Sequence, residues 1–111
     1  MIAVDPHLVY KACAASEWRD AAATGYYRGS VVDRRDGFVH LSTGAQVEET
    51  LRLHFAGQID LVLVAFDPDA LGGALRWEPS RGGALFPHFY GELPVALALS
   101  VRPIDGELST P

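Results

Sequence analysis

Residues 61–66, Leu-Val-Leu-Val-Ala-Phe, make an uninterrupted apolar run of strand length between Asp60 and the pair Asp67-Pro68. A half-buried strand alternates apolar and polar residues, so a run with no polar position has to be covered on both faces. Any fold for this chain needs packing layers above and below one central strand. With 111 residues, 49% of them hydrophobic, the chain supplies those layers from a single core and is too small for a catalytic domain beside a separate binding domain. One domain is expected over 1–103, with a mobile tail over 104–111.

The remaining elements follow from local rules. Residues 8–13 read as a first strand, and Ser16 as the cap of a helix that carries Glu17 and Asp20 in its first turn and ends at Gly25. Trp18 and the Ala21 to Ala23 run are its packing face. Val47, Leu51 and Phe55 recur at helical spacing after Thr43-x-x-Gln46, a capping-box pattern, which predicts a helix over 44–56 stopped by Gly57. Asp67 followed by Pro68 predicts one short helical turn over 68–71, closed by Gly72-Gly73. A short alternating strand over 75–78 stops at Pro79, and the apolar set Val95, Leu97, Leu99 and Val101 predicts a final strand with one heavily apolar face. Residues 33–37 read as a polar turn, and 80–91 as a loop rich in Gly and Pro that still carries large apolar side chains.

Polar chemistry concentrates where elements meet. In 36–43, Asp-Gly-Phe-Val-His-Leu-Ser-Thr, His40 and Ser42 share one face of a short strand that runs into the helix signalled by Thr43. The positive end of that helix favours an anionic ligand and disfavours a protonated imidazole, so His40 is expected to be neutral, with its stability contribution lost on acidification. Arg28 and Arg81 sit among small residues in non-helical segments, where a guanidinium reaches oxyanions bidentately. Glu78, beside Trp77, is expected to have a pKa raised by desolvation, and His88 lies between Pro87 and Phe89. Against each stands a structural role: a strand-end ion pair for Glu78, a loop-fixing hydrogen bond for His88, surface ion pairs for the arginines. His54 borders the apolar stripe of its helix and reads as packing; His7 reads as exposed.

Several classes of function are disfavoured. The formal net charge is -5, from 14 acidic and 9 basic residues, which leaves no basic stripe for phosphate backbones, so no nucleic-acid partner is expected. No apolar run approaches the ~20 residues that span a bilayer, and the start of the sequence has no secretory pattern, so a cytoplasmic protein without membrane association is expected. The single cysteine, Cys13, lies in an apolar strand and reads as a buried structural thiol. A metal site from His40, Glu78 and His88 lacks any local ligand spacing, and Gly82-Gly83 lacks the lysine of a phosphate loop, so neither is assigned.

Taken in order, Tyr10-Lys11, Ser16-Glu17-Trp18, Arg28-Gly29-Ser30, Asp36-Gly37-Phe38-Val39-His40-Leu41-Ser42, Leu75-Arg76-Trp77-Glu78 and Phe86-Pro87-His88-Phe89-Tyr90-Gly91 resemble the small bacterial family called domain of unknown function 952. The resemblance runs from about Leu8 to Pro103. It implies a small α+β domain with an ADP-ribosyltransferase-like split, bent β-sheet, two main helices and a nucleotide-sized cleft. His40-Leu41-Ser42 looks like the transferase motif that contacts the ribose and nicotinamide of NAD, with Leu41 at a position usually Gly. Glu78 and His88 are both candidates for the late-strand catalytic group, and Tyr26, Tyr27, Trp77 and Tyr90 for the aromatic one. The resulting catalytic set is His40, Glu78 and His88, and the ligand-binding set Arg28, Ser42, Thr43, Arg81 and Tyr90. The expected ligand is NAD, ADP-ribose or another anionic small molecule, held either for group transfer or by a noncatalytic sensing domain.

Overall fold

The computed structural model describes residues 3–104 and the backbone of 2 and 108–109, so most of the tail expected to be mobile lies outside the described residues. In chain order the elements are β1 (Ile2–Ala3), β2 (Val9–Ala14), α1 (Ala15–Thr24), β3 (Tyr26–Tyr27), α2 (Val31–Asp36), β4 (Val39–His40), β5 (Ser42–Thr43) and α3 (Val47–His54). The second half holds β6 (Leu61–Phe66), α4 (Pro68–Leu71), β7 (Leu75–Pro79), β8 (Leu85–Phe89), β9 (Leu93–Pro94), β10 (Ala98–Pro103) and β11 (Leu108–Ser109). Strands and helices mix in a small α and β architecture whose sheet is divided into pieces.

The principal sheet is antiparallel in the order β10-β6-β2-β5, and every residue of β6 is buried. Val62, Val64 and Phe66 point into one cluster with Val9, Cys13, Trp18, Tyr27, Val39 and Phe89. Leu63 and Ala65 point the other way, to Val4, Tyr10 and Val47, where α3 supplies the cover. That division is the two-sided burial that the apolar run requires. A second antiparallel sheet, β4-β8-β7, closes over the first cluster. Residues 39–43 join the two: Val39 and His40 pair with β8, and after Leu41 the chain crosses so that Ser42 and Thr43 pair with β2.

Local signals place α1 and α4 well. Gly25 ends α1 at φ 91°, a left-handed value that glycine adopts without a Cβ penalty, although Ala14 rather than Ser16 occupies the cap. Asp67 caps α4 by accepting from the Asp69 N–H. The helix expected over 44–56 is shorter, because 44–46 form a turn and only half of the capping box exists: the Gln46 side chain accepts from the Thr43 N–H, with no return bond. His54 at its end is exposed and not packed.

Three expectations change more substantially. Residues 33–36, read as part of a polar turn, are instead the body of α2, begun by a complete capping box between Ser30 and Asp33 and ended by Gly37. The loop over 80–91 contains β8, the middle strand of the second sheet. Pro87 is tolerated there because both its polar positions face β4: its carbonyl accepts from the Leu41 N–H, and its missing donor falls where the chain leaves for the other sheet. The strand expected from 95 begins only at Ala98, after a 3-10 turn over Val95–Leu97, and Leu99 and Val101 are exposed because β10 is an edge strand. No helix among the described residues is long and apolar enough to cross a membrane.

Candidate functional site

Alternation along the second sheet fixes one polar face. His40 is directly opposite His88, Arg76 is opposite His88 on the other side, and Glu78 is opposite Phe86. Residues paired in register share a side, so His40, Arg76, Glu78, Phe86, His88 and Tyr90 project together, while Val39 and Phe89 enter the core. Contacts bear this out. Phe38 stacks on the His88 ring with centroids 4.0 Å apart and packs on His40 at 4.6 Å, and the two imidazoles meet edge to face at 5.5 Å.

His40 is held from behind by a buried carboxylate. Its Nδ1 lies 2.6 Å from Asp33 Oδ1, and since an ionised carboxylate only accepts, the proton sits on Nδ1. Asp33 is 2% exposed and takes three further bonds: from the His40 N–H at 3.1 Å, the Ser30 N–H at 2.9 Å and Lys11 Nζ at 2.7 Å. Lys11, 5% exposed, also donates to the His40 carbonyl at 3.1 Å, clamping the strand to α2. Burial pushes the Asp33 carboxyl up, but the bonds from His40 and Lys11 outweigh it and hold the group well below the usual carboxylate range. Close packing behind this carboxylate demands Gly29: a Cβ there would stand 2.6 Å from the Asp33 Cβ, at φ 101°.

The ring's other nitrogen, Nε2, is 3.0 Å from Asp36 Oδ2 at the end of α2. The expectation that His40 faces the N-terminus of the following helix is therefore corrected. Its electrostatic neighbours are two carboxylates of the preceding helix, and α3 starts only at Val47.

His88, 4% exposed beneath Phe38, is bonded through Nδ1 to Glu78 Oε1 at 2.9 Å, and the Tyr90 hydroxyl donates to the same oxygen at 2.7 Å. Glu78 and His88 are thus partners in one unit, not alternatives. The bond from Tyr90, then that from His88, holds the Glu78 carboxyl below its ordinary value and not above it as expected from desolvation. Trp77 points to the opposite face and is 47% exposed. The same bond pushes the Tyr90 phenol up, and Arg76 lies over the Tyr90 ring at 5.1 Å.

Ser42 and Arg81 belong to the adjoining part of this face. The Ser42 hydroxyl is 3.0 Å from that of Thr50 on α3, and Arg81 reaches Thr50 at 3.4 and 3.5 Å while lying over Phe86. Leu41, 2% exposed, turns into the core, so the residue standing where Gly is usual does not obstruct the face. The other two ligand candidates fall elsewhere. Arg28 is 71% exposed and pairs with Glu92, and Thr43 is engaged through its backbone in the turn before α3.

Two cavities of about 220 and 240 Å³ open near Tyr10 and Arg102, and near Tyr26 and Arg34. Neither is lined by His40 or His88, over which Phe38 packs. Among the described residues no three His, Cys, Asp or Glu side chains are grouped to hold a metal ion. Lys11, Asp33, Asp36 and Phe38 are the site residues that sequence reasoning missed. Ser30-x-x-Asp33 was the available signal for the helix, and a lone Lys inside an apolar strand the signal for a buried counter-ion.

Comparison with known proteins places this arrangement. The model of a family described as "Protein of unknown function (DUF952)" matches residues 12–101. The crystal structure of protein CC0527 from Caulobacter crescentus is 46% identical with a TM-score of 0.87, over 90% of this chain and 88% of that one. The solution NMR structure of the same protein gives 46% identity and a TM-score of 0.81, over 91% and 87%. No curated protein matches the chain.

Proposed function

The chain belongs to the DUF952 family of proteins of unknown function, and from that premise we propose a small-molecule-binding domain on an ADP-ribosyltransferase-like split sheet, whose polar face takes an anionic ligand of the nucleotide class, such as NAD or ADP-ribose. The observation that carries this reading is the cross-strand pair of His40 and His88, each with Nδ1 on a carboxylate. Imidazoles fixed in this way are oriented for hydrogen bonding to a ligand, and carboxylate support of one nitrogen is how enzymes set the basicity of the other. Cations flank the pair: Arg76 beside Tyr90 and Arg81 over Phe86. Phe38 provides an aromatic surface between them. His40 acts on the ligand from Nε2, and Asp36, with 29% of its side chain exposed, is the partner a ligand hydroxyl displaces.

Two observations favour a sensing domain over a transferase. His88 is 4% exposed, and His40 Nε2 already has a carboxylate against it. Isothermal titration with NAD, ADP-ribose and inorganic phosphate tests the binding. Saturable heat that His40→Ala weakens at least tenfold, about 1.4 kcal/mol, is the expected result; no heat from any of the three with a folded sample overturns the reading. Nicotinamide released from bound NAD identifies a transferase or hydrolase, and binding without release identifies the sensor.

A further inference from the structure

Two hydroxyl groups and one guanidinium beside the histidine pair have more donors than the protein uses. Ser42 and Thr50 lie 3.0 Å apart, and one shared hydrogen bond consumes only one of their two protons. Arg81 adds donors to Thr50 Oγ1 at 3.4 and 3.5 Å, the long end of the hydrogen-bonding range, so the guanidinium is positioned without being saturated. Its nearest carboxylate oxygen, Glu49 Oε2, is 3.9 Å away on a side chain that is 57% exposed and already bonded to Arg52. Ser42, 6% exposed, has Thr50 as its partner, which leaves the spare proton of the pair to the half-buried Thr50 hydroxyl.

The group is also held in place. Arg81 lies over the Phe86 ring at 4.8 Å, and its turn is closed by the bonds from the Ser80 N–H to the Ala84 carbonyl and from the Gly83 N–H to the Ser80 carbonyl, both 2.9 Å. A planar fork stacked on an aromatic ring, with hydroxyl donors beside it, is complementary to a tetrahedral oxyanion. Along the strands, Ser42 is two residues beyond His40 and Phe86 is two residues before His88, a separation of roughly 7 Å at about 3.3 Å per residue.

We propose that Arg81, Thr50 and Ser42 form a phosphate-recognition subsite that anchors a phosphate group of the ligand and thereby sets its sugar or equivalent moiety against the His40–His88 pair. This rests on the small-molecule reading above and assigns the residues that take the phosphate of its ligand. Arg81 supplies charge and two-point geometry, and the two hydroxyls supply direction.

The test is titration of 15N-labelled protein with inorganic phosphate, AMP and adenosine, for the unmodified chain and the Arg81→Gln, Arg81→Lys and Thr50→Val variants. Circular dichroism confirms that each variant is folded. Expected are saturable phosphate-dependent shifts at Ser42, Thr50 and Arg81, and a preference for AMP over adenosine of at least tenfold. Arg81→Gln abolishes that preference, Arg81→Lys retains part of it, and Thr50→Val, which keeps the side-chain shape, reduces it. Equal binding of AMP and adenosine, or a preference that survives Arg81→Gln, overturns the subsite and leaves the small-molecule reading standing. Phosphate shifts at these residues without any nucleotide-specific effect support the subsite and remove the nucleotide. Absence of shifts from all three probes overturns both.

Discussion

A carboxylate that is 2% exposed survives as an anion only while its donors remain, and Asp33 has four: Lys11 Nζ, the Ser30 N–H, and the N–H and Nδ1 of His40. Removing one partner of such a buried pair strands the other charge, at a cost of about 3–5 kcal/mol. Lys11→Met is therefore expected to lose that much stability in urea unfolding, although it replaces a charge by an apolar side chain of similar length. A loss below about 1 kcal/mol would mean that His40 and the backbone alone satisfy the carboxylate. The same residue predicts a pH dependence. The folded Asp33 carboxyl lies below its unfolded value of ~3.9, so its contribution is fully present above that value and is lost as pH falls through the depressed folded pKa. In Asp33→Asn the acid limb of stability against pH should be flatter below about pH 4 than in the unmodified protein, measured by unfolding at a series of pH values.

Elements divide by whether their cues were local. Gly25 and Asp67-Pro68 mark helix ends that chemistry within a few residues dictates, and those helices lie where the pattern placed them. The capping box of α2 is equally local and was legible in Ser30-x-x-Asp33; the charged Asp33-Arg34-Arg35-Asp36 run masked it as a turn. β8 was not legible, because Pro87 argues against a central strand until the position of its missing donor is known. Within the face that β8 organises, Phe38 is the removable cover. Phe38→Ala should make His88, 4% exposed in the intact protein, reactive towards diethyl pyrocarbonate in peptide mapping, with His40 reactive in both. Equal protection of His88 in the variant would show that β7 and not Phe38 buries the ring.

At the scale of the molecule, residues 39–43 belong to both main sheets, and Phe89 and Val39 of the second share a core with Phe66 and Val64 of the first. The two sheets are expected to unfold as one unit. Trp18 reports on the core between them and Trp77 on β7 of the second sheet, so Trp18→Phe and Trp77→Phe leave single fluorophores at different places. Once each is referenced to its own far-ultraviolet transition, the fluorescence midpoint should coincide with it in both variants. A Trp77 signal that moves ahead of the backbone transition would show the second sheet melting separately. The sequence by itself determined the buried central strand, the C-terminal end of α1, the turn of α4, and extended chain at His40 and at Ser42, which the fold assigns to two different sheets. These rest on side-chain period and backbone capping, which act within a few residues. Only the tertiary structure decided that Lys11 meets Asp33 across 22 positions and that His88 pairs with His40 across the sheet. Charge pairing and strand register have no period along the chain, and the partners become neighbours only when the core between the sheets closes.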